Sequence, residues 1–350
     1  MGSIEGGVQV AAWLDKPGHG AVLRIREDID IPIPKEGEVL VKLECSGICH
    51  SDVHSIYNET PMDTDIAGHE GVGYVVKCGP SVADEVLNAR VGVKWQYRTC
   101  GKCEICAVDS TACPYQDNAG RNVRGTFAQY ICAPVRDLTM LPEGLESKIL
   151  APLLCAGLTM YSAIAKAQLK PGHWLVLPGA GGGLGHIGVQ IAASRGYKVI
   201  AIDSGKEKRK LCLDLGAALF IDFREEDIEA EVSRATGGYG AHAVIVGVGS
   251  ESAYRQGFAV LRNLGTLVCV GIPGISCQLP VTPFQMIVKG LKVVGSSCGT
   301  PTEMHELLDM AMAGKVIPQV TVYELEDINT IVEKLARFQI GGRVVLRIPQ

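Results

Sequence analysis

Apolar and polar residues alternate along Gly37-Glu38-Val39-Leu40-Val41-Lys42-Leu43-Glu44-Cys45, the period of two that marks a half-buried strand. Gly71–Cys78 and Arg90–Trp95 repeat the pattern. The first 150 residues contain no long amphipathic helix, which predicts a β-rich barrel or sandwich. Near residue 150 the texture changes. Leu154, Leu158, Tyr161 and Ile164 recur at helical spacing within Leu153–Gln168 and predict a helix linking two halves. Apolar strands then alternate with helices: strands at His173–Pro178, Lys198–Asp203, Leu219–Asp222, Ala243–Val248, Thr266–Gly271 and Leu291–Gly295; helices at Leu184–Arg195, Lys206–Leu215, Ile228–Thr236 and Ser252–Asn263. Apolar strands without alternation, separated by helices, indicate a parallel sheet covered on both faces, a doubly wound α/β domain. Two further helices (Thr302–Ala313, Leu325–Phe338) precede a last strand, Arg343–Ile348, whose destination the pattern leaves open.

Composition narrows the class. At 350 residues and 47% hydrophobic the chain is long enough for about two domains and too apolar for disorder. A net charge of −5 offers no attraction for nucleic acid or an anionic membrane. No apolar run approaches the roughly 20 residues that span a bilayer. Met1–Gly6 lacks a basic start and an apolar core, so no secretory signal is expected, and position six lacks the Ser or Thr of a myristoylation motif. Thirteen cysteines, an odd number, argue for thiols in a reducing compartment, and a cytoplasmic location is expected.

The 42 glycines and 13 cysteines matter most where they cluster. Gly179-Ala180-Gly181-Gly182-Gly183-Leu184-Gly185-His186-Ile187-Gly188 lies between a predicted strand and a predicted helix. Such a turn lets the backbone approach a pyrophosphate and aims a helix N-terminus at it. Gly183 to Gly188 fits G-x-G-x-x-G, although other registers also place glycines suitably. Asp203 ends the next strand, where a carboxylate can bond an adenosine ribose and repel a 2′-phosphate, favouring NAD over NADP. Lys206, Lys208 and Arg209 nearby could instead serve a phosphate.

Cys100, Cys103, Cys106 and Cys113 form C-x2-C-x2-C-x6-C, four soft ligands from one loop, which suits a closed structural zinc site; an iron–sulfur cluster uses similar ligands. A scattered set, Cys49, His69 and Cys155, would provide two thiolates and an imidazole with a fourth position open. Sequence distance alone cannot pair them.

Cys-His-Ser-Asp-Val-His at 49–54, Gly-His-Glu-Gly at 68–71, the four-cysteine loop, Leu-Leu-Cys-Ala-Gly-Leu-Thr at 153–159, the glycine turn, Asp203 and Gly-Arg-Val-Val at 342–345 together resemble the zinc-dependent medium-chain alcohol dehydrogenases, the yeast-type fungal members most closely. The match runs in order over essentially the whole chain. It implies a GroES-like β-rich catalytic domain (1–156), a Rossmann coenzyme domain (157–295) and a C-terminal segment (296–350) rejoining the catalytic domain. It implies one catalytic and one structural zinc per chain, NAD as coenzyme, a small alcohol or aldehyde as substrate, and a homo-oligomer, dimer or tetramer. Cys49, His69 and Cys155 would hold the catalytic zinc, with Glu70 beside the metal and Asp52 orienting His69. Ser51 would accept the alcohol proton and His54 would pass it to solvent through the nicotinamide ribose. His50 and Arg343 would contact the pyrophosphate, with Gly179, Gly181, Gly182, Gly183, Leu184 and Gly185 forming the phosphate turn. Lys208 would assist Asp203, and Val248, Val270 and Ile272 would line the nicotinamide. Simpler roles compete: His54 could cap a turn, and Glu70 could pair structurally with Arg343.

The chain departs from the family pattern in two places. The stretch 55–68 is a few residues short and has Thr60 where yeast-type members place a pocket-narrowing tryptophan, leaving Trp95 as a candidate wall. The structural loop is one residue short between its third and fourth cysteines. A wider pocket is therefore expected. Two other readings stay open: a polyol, sugar or specialised-metabolite dehydrogenase on the same fold, and a catalytically silent zinc- and NAD-binding module. The pairing of Ser51 with His54 argues against the silent module, which needs no proton relay.

Overall fold

The computed structural model describes residues 6–350; residues 1–5, which carry most of the N-terminal signal and lipidation expectations, lie outside the described residues. Contacts divide the chain into two compact units. The first comprises the chain to Cys155, Thr300–Leu308 and Val320–Gln350; the second comprises Ala156–Gly299 and Asp309–Gln319. The C-terminal portion is therefore shared, with 309–319 grouped in the second unit.

The first unit is built on a seven-stranded sheet organised around the long strand Glu38–Ile48. One edge of that strand is antiparallel to Glu70–Cys78. Its other edge is shared: Glu38–Lys42 pairs with Tyr130–Pro134, while Cys45–Ile48 pairs with the last strand, Arg343–Arg347. The destination that periodicity left open is thus the first unit's sheet. Register brings the strand ends together. Gly47 lies opposite Glu70, and Ile48 lies opposite Val344, so the ends of three strands meet where Cys49 begins. Alternation along Glu38–Ile48 buries Val39, Val41 and Leu43 in a core shared with Phe127, Ile331 and Leu346.

The second unit contains a six-stranded, all-parallel sheet. Numbering its strands from 1 in chain order (Trp174–Pro178, Lys198–Asp203, Leu219–Asp222, Ala241–Val246, Leu261–Cys269, Lys292–Gly295), their spatial order is 3-2-1-4-5-6, the doubly wound arrangement of the Rossmann fold. Val176, Ile200, Val244 and Leu267 fill its core.

Three expectations are corrected. The helix expected at Ser252–Asn263 stops at Ala259, and Leu261 starts the fifth strand, because Leu261 is buried opposite Ala241 in the ladder. The linking helix starts earlier, at Ser147, and its turn Leu153–Gly157 widens to i→i+5 bonding just after Pro152. Proline lacks the N–H that helix bonding needs, and such bulges concentrate at functional positions; this one contains Cys155. The run Ser147–Lys166 is also 20 residues long and apolar enough to cross a membrane, contrary to expectation. Since 78% of its 18-residue apolar window is buried inside the protein, its apolar surface is accounted for by packing.

Candidate active site

The loop that leaves Ile48 enters the helix His50–Ile56, with Cys49 as its N-cap. Asp52, in the first turn, is buried and uses both oxygens: Oδ2 accepts the Cys49 N–H at 2.9 Å, and Oδ1 contacts His69 Nδ1 at 2.9 Å. Asp52 thereby fixes one nitrogen of His69 and turns Nε2 toward two sulfurs, Cys49 Sγ and Cys155 Sγ, each 3.3 Å away. Glu70 joins this cluster, in which all four ligand atoms lie within 4.8 Å of one another. Sulfur and imidazole ligands on a tetrahedral zinc at about 2.3 and 2.0 Å would stand about 3.5 Å apart. The donor set fits zinc.

Electrostatics set the site's character. Hydrogen bonding from Cys155 draws the Cys49 thiol well below the ordinary thiol range against the opposing effect of burial, and His69 and Arg343 add to the lowering. Burial disfavours the charged form of His69, yet Asp52 and Cys49 together raise it well above the usual histidine value. Burial pushes Glu70 up to about 7, with Arg343 pulling the other way. Arg343 Nη2 donates to Glu70 Oε1, so the pairing and the shared site coexist. Glu70 Oε2, Arg343 Nε and His50 Nε2 are buried without a partner. Buried polar atoms are almost always satisfied, so these three, clustered beside the Cys49–His69–Cys155 set, are groups that a bound ligand or water can satisfy. Gly47 makes the arrangement possible, because a Cβ there would collide with the Glu70 side chain. Sequence reasoning passed over Gly47; its signal was a glycine inside an otherwise β-favouring strand.

Ser51 and His54 lie three residues apart on the same helix, both half-buried and on one face. His54 Nδ1 contacts Glu59 Oε2, a partner the sequence reading did not single out. Trp95 meets the His69 ring edge-on, with centroids 5.2 Å apart, and stands at the site as the candidate wall.

In the second unit, the glycine turn divides its tasks differently from the Gly183–Gly188 register. The left-handed backbone falls at Gly179 (φ +69°), whereas Gly181, Gly182, Gly183 and Gly185 are not left-handed. The helix Gly185–Ser194 begins immediately after Leu184. A Cβ at Gly185 would strike the Gly179 carbonyl, and one at Gly181 would strike the Lys208 stem. Asp203 Oδ2 accepts the Gly181 N–H at 3.0 Å, and Oδ1 accepts Lys208 Nζ at 2.7 Å. Val248, Val270 and Ile272 follow the fourth and fifth strands at their C-terminal ends, where ligands of open α/β sheets bind. His186, buried in this helix, contacts the Gly182 carbonyl through Nδ1 at 2.8 Å and accepts the Gln319 N–H through Nε2 at 3.0 Å. It braces the turn. A histidine, with Gln190 one turn on, in a mostly apolar helix was the available clue.

The four-cysteine loop closes on itself. Cys100 Sγ is 3.8 Å from Cys106 Sγ and 3.7 Å from Cys113 Sγ, and all four sulfurs lie within 4.8 Å. Four thiolates around one zinc at about 2.3 Å would stand about 3.8 Å apart. A multi-iron cluster would hold them wider, since its irons and sulfides lie between the thiolates. Spacing this tight favours a single ion.

Fold and donor sets together define a class, the zinc-binding oxidoreductases built on a Rossmann-type domain. Comparison with known proteins narrows it. Residues 35–143 match the family described as alcohol dehydrogenase GroES-like domain, and residues 183–313 match zinc-binding dehydrogenase. An alcohol dehydrogenase of Geobacillus stearothermophilus is 40% identical over 332 residues, 94% of this chain and 96% of its own. One from Schizosaccharomyces pombe is 36% identical over 94% of this chain and 95% of its own. Among solved structures, the alcohol dehydrogenase of Aeropyrum pernix superposes with a TM-score of 0.87 at 31% identity, covering 97% of this chain and 100% of that one. The acetophenone reductase of Geotrichum candidum, solved in complex with NAD, gives 0.85 at 28% identity over 97% of each chain. The chain belongs to the zinc-dependent alcohol dehydrogenase family, oxidoreductases that act on alcohols.

Proposed function

We propose that this chain is an NAD-linked dehydrogenase that interconverts a small alcohol and its aldehyde or ketone, with catalytic domain 1–156, coenzyme domain 157–295 and segment 296–350 returning to the former. The observation that carries the reading is the convergence of Cys49 and Cys155 on His69 Nε2, with Asp52 locking the imidazole from behind. Cys49, His69 and Cys155 would hold the catalytic zinc, with Glu70 available to its exchangeable position; Cys100, Cys103, Cys106 and Cys113 would hold the structural ion. Zinc supplies Lewis acidity that makes an alcohol more acidic, and NAD supplies the hydride acceptor. The chain's own residues do the rest. Ser51 takes the hydroxyl proton and His54 releases it toward solvent. Unpartnered nitrogens on His50 and Arg343 offer donors to the pyrophosphate. Gly179 to Gly185 admits the phosphates at a helix N-terminus, Asp203 with Lys208 receives the adenosine ribose, and Val248, Val270 and Ile272 line the nicotinamide. The Cys-His-Ser-Asp-Val-His stretch supports kinship with yeast-type members, and thirteen free thiols support a cytosolic location, which fractionation would check.

The test is coenzyme reduction across an alcohol panel from ethanol to aromatic alcohols, with NAD and NADP run in parallel. Activity with NAD is expected to exceed that with NADP, because the Asp203 carboxylate repels a 2′-phosphate. With Thr60 in the short loop, kcat/KM for bulky or aromatic alcohols should at least equal that for ethanol. A strong ethanol preference would sink the wide-pocket proposal, and an inert protein with a full zinc complement would sink the enzyme.

A homo-oligomer is also proposed. Phe284, Ile287 and Val288 on the helix Pro283–Lys289 are 73, 79 and 62% exposed, and Lys292–Gly295 is the edge strand of the second unit's sheet. An apolar helix face beside an open edge suits a two-fold contact with a second copy. Light scattering should give two or four times the chain mass, and Ile287→Glu should reduce it; a monomeric wild type counts against the proposal.

A further inference from the structure

The short stretch after the helix His50–Ile56 turns back on the helix that precedes it. Asn58 adopts the left-handed conformation (φ +59°), which reverses the chain. The next two backbone N–H groups, of Glu59 and Thr60, both donate to the His54 carbonyl, at 2.8 and 3.1 Å. Ser55 Oγ and Thr60 Oγ1 stand 3.4 Å apart across the same turn, and Met62 anchors its far side in the core. This backbone delivers the Glu59 carboxylate to Nδ1 of His54. The contact is held by the fold of the loop, although Glu59 itself is 56% exposed.

We propose that Glu59 is a positioning residue for the proton relay. The inference rests on the relay role of His54 advanced above. An ionised carboxylate can only accept, and a neutral imidazole carries one N–H, so contact with Glu59 places that hydrogen on Nδ1 and leaves the lone pair on Nε2. The ring is also held against rotation. A proton that leaves the alcohol at Ser51 is then taken up at Nε2. The resulting imidazolium stands beside the Glu59 carboxylate until Nε2 releases the proton to water, which restores the starting tautomer. No electron moves in these steps. With Glu59 absent, tautomer and ring orientation are both unfixed, and only part of the population is ready to accept.

The test compares Glu59→Ala, Glu59→Gln and His54→Ala in the zinc-loaded, full-length enzyme. Glu59→Ala is expected to lower kcat/KM for alcohol oxidation by about tenfold, the low end of the loss when an orienting partner is removed. The Gln variant, whose amide oxygen still accepts from Nδ1–H, should recover part of that loss. High concentrations of a small buffer base should restore the Ala variant further, since the base takes the proton in place of the ring. Side-chain nitrogen NMR of His54, assigned by its loss in His54→Ala, should show Nδ1 protonated in the wild type and mixed tautomers in Glu59→Ala. Glu59→Ala within twofold of wild type overturns the proposal, and so does a tenfold loss with an unchanged tautomer, which would mean a structural role only. An unaltered kcat/KM in His54→Ala instead overturns the relay itself.

Discussion

Cys49→Ala is expected to lower kcat/KM for alcohol oxidation by more than roughly 100-fold and to reduce bound zinc from two ions per chain to one. Removing a partner that merely orients a ligand costs about 10–100-fold, and removing the ligand itself should exceed that. The position leaves little room for substitution. Cys49 is 3% exposed, its N–H is held by Asp52, and its sulfur is 3.3 Å from His69 Nε2. Asp52→Asn is the graded companion. An amide has one oxygen where Asp52 uses two, so one of its contacts, with the Cys49 N–H or with His69 Nδ1, would face an NH2 donor. Its loss should fall within the 10–100-fold range. Steady-state kinetics, zinc analysis and far-UV circular dichroism on the same preparations decide the matter. A Cys49→Ala enzyme that keeps two zincs and more than a tenth of its activity would remove Cys49 from the ligand set.

Parts of this site could be read from spacing and parts could not, and the difference is physical. The four-cysteine loop is local: its ligands fall within 14 residues, so spacing alone brings the sulfurs into range. The parallel sheet was legible because strands buried on both faces are apolar throughout, and helices separate them. Cys49, His69 and Cys155 span more than 100 residues, and what joins them is register. Gly47 opposite Glu70 and Ile48 opposite Val344 bring the strand ends together, and no periodicity encodes which strands pair. Only the resemblance supplied that set in advance. Residues that act through geometry were harder still. Gly47 matters for an atom it lacks, His186 for two contacts set by a helix and a distant segment, and Glu59 for a left-handed turn at Asn58. The glycine register shifted for a similar reason. Only Gly183 to Gly188 meets the strict G-x-G-x-x-G spacing, but spacing does not say which glycine the turn drives to positive φ, and that glycine is Gly179.

Cys103→Ser should produce the opposite pattern of losses. It too should leave one zinc per chain, but melting should fall by about 10 °C while activity per folded molecule at low temperature stays within about threefold of wild type. Loss of a bound metal belongs with the largest single-site effects, of order 4 kcal/mol, and for a domain of this size each kcal/mol shifts the melting temperature by about 2–4 °C. Beyond the thiols, few contacts tie the loop down: Gln96 Nε2 donates to the Ser110 carbonyl at 2.6 Å and Arg136 Nη2 to the Thr99 carbonyl. Cys103 caps the five-residue helix Glu104–Val108, and its sulfur accepts the Cys106 N–H at 3.4 Å. Asp109 then caps the three-residue turn Ser110–Ala112. None of Glu104 to Val108 is buried, and Val108 is 88% exposed, so apolar burial contributes almost nothing to this segment. Short helices without a buried face are marginal in water, which leaves the metal as the main source of order. Serine keeps the size and a weak cap but not a thiolate, so the fourth ligand goes while the turn geometry stays permissible. Calorimetry with zinc analysis reads the result: a melting temperature within 2 °C of wild type, with only one zinc bound, would mean the loop is ordered by its own contacts and the ion there is dispensable to the fold.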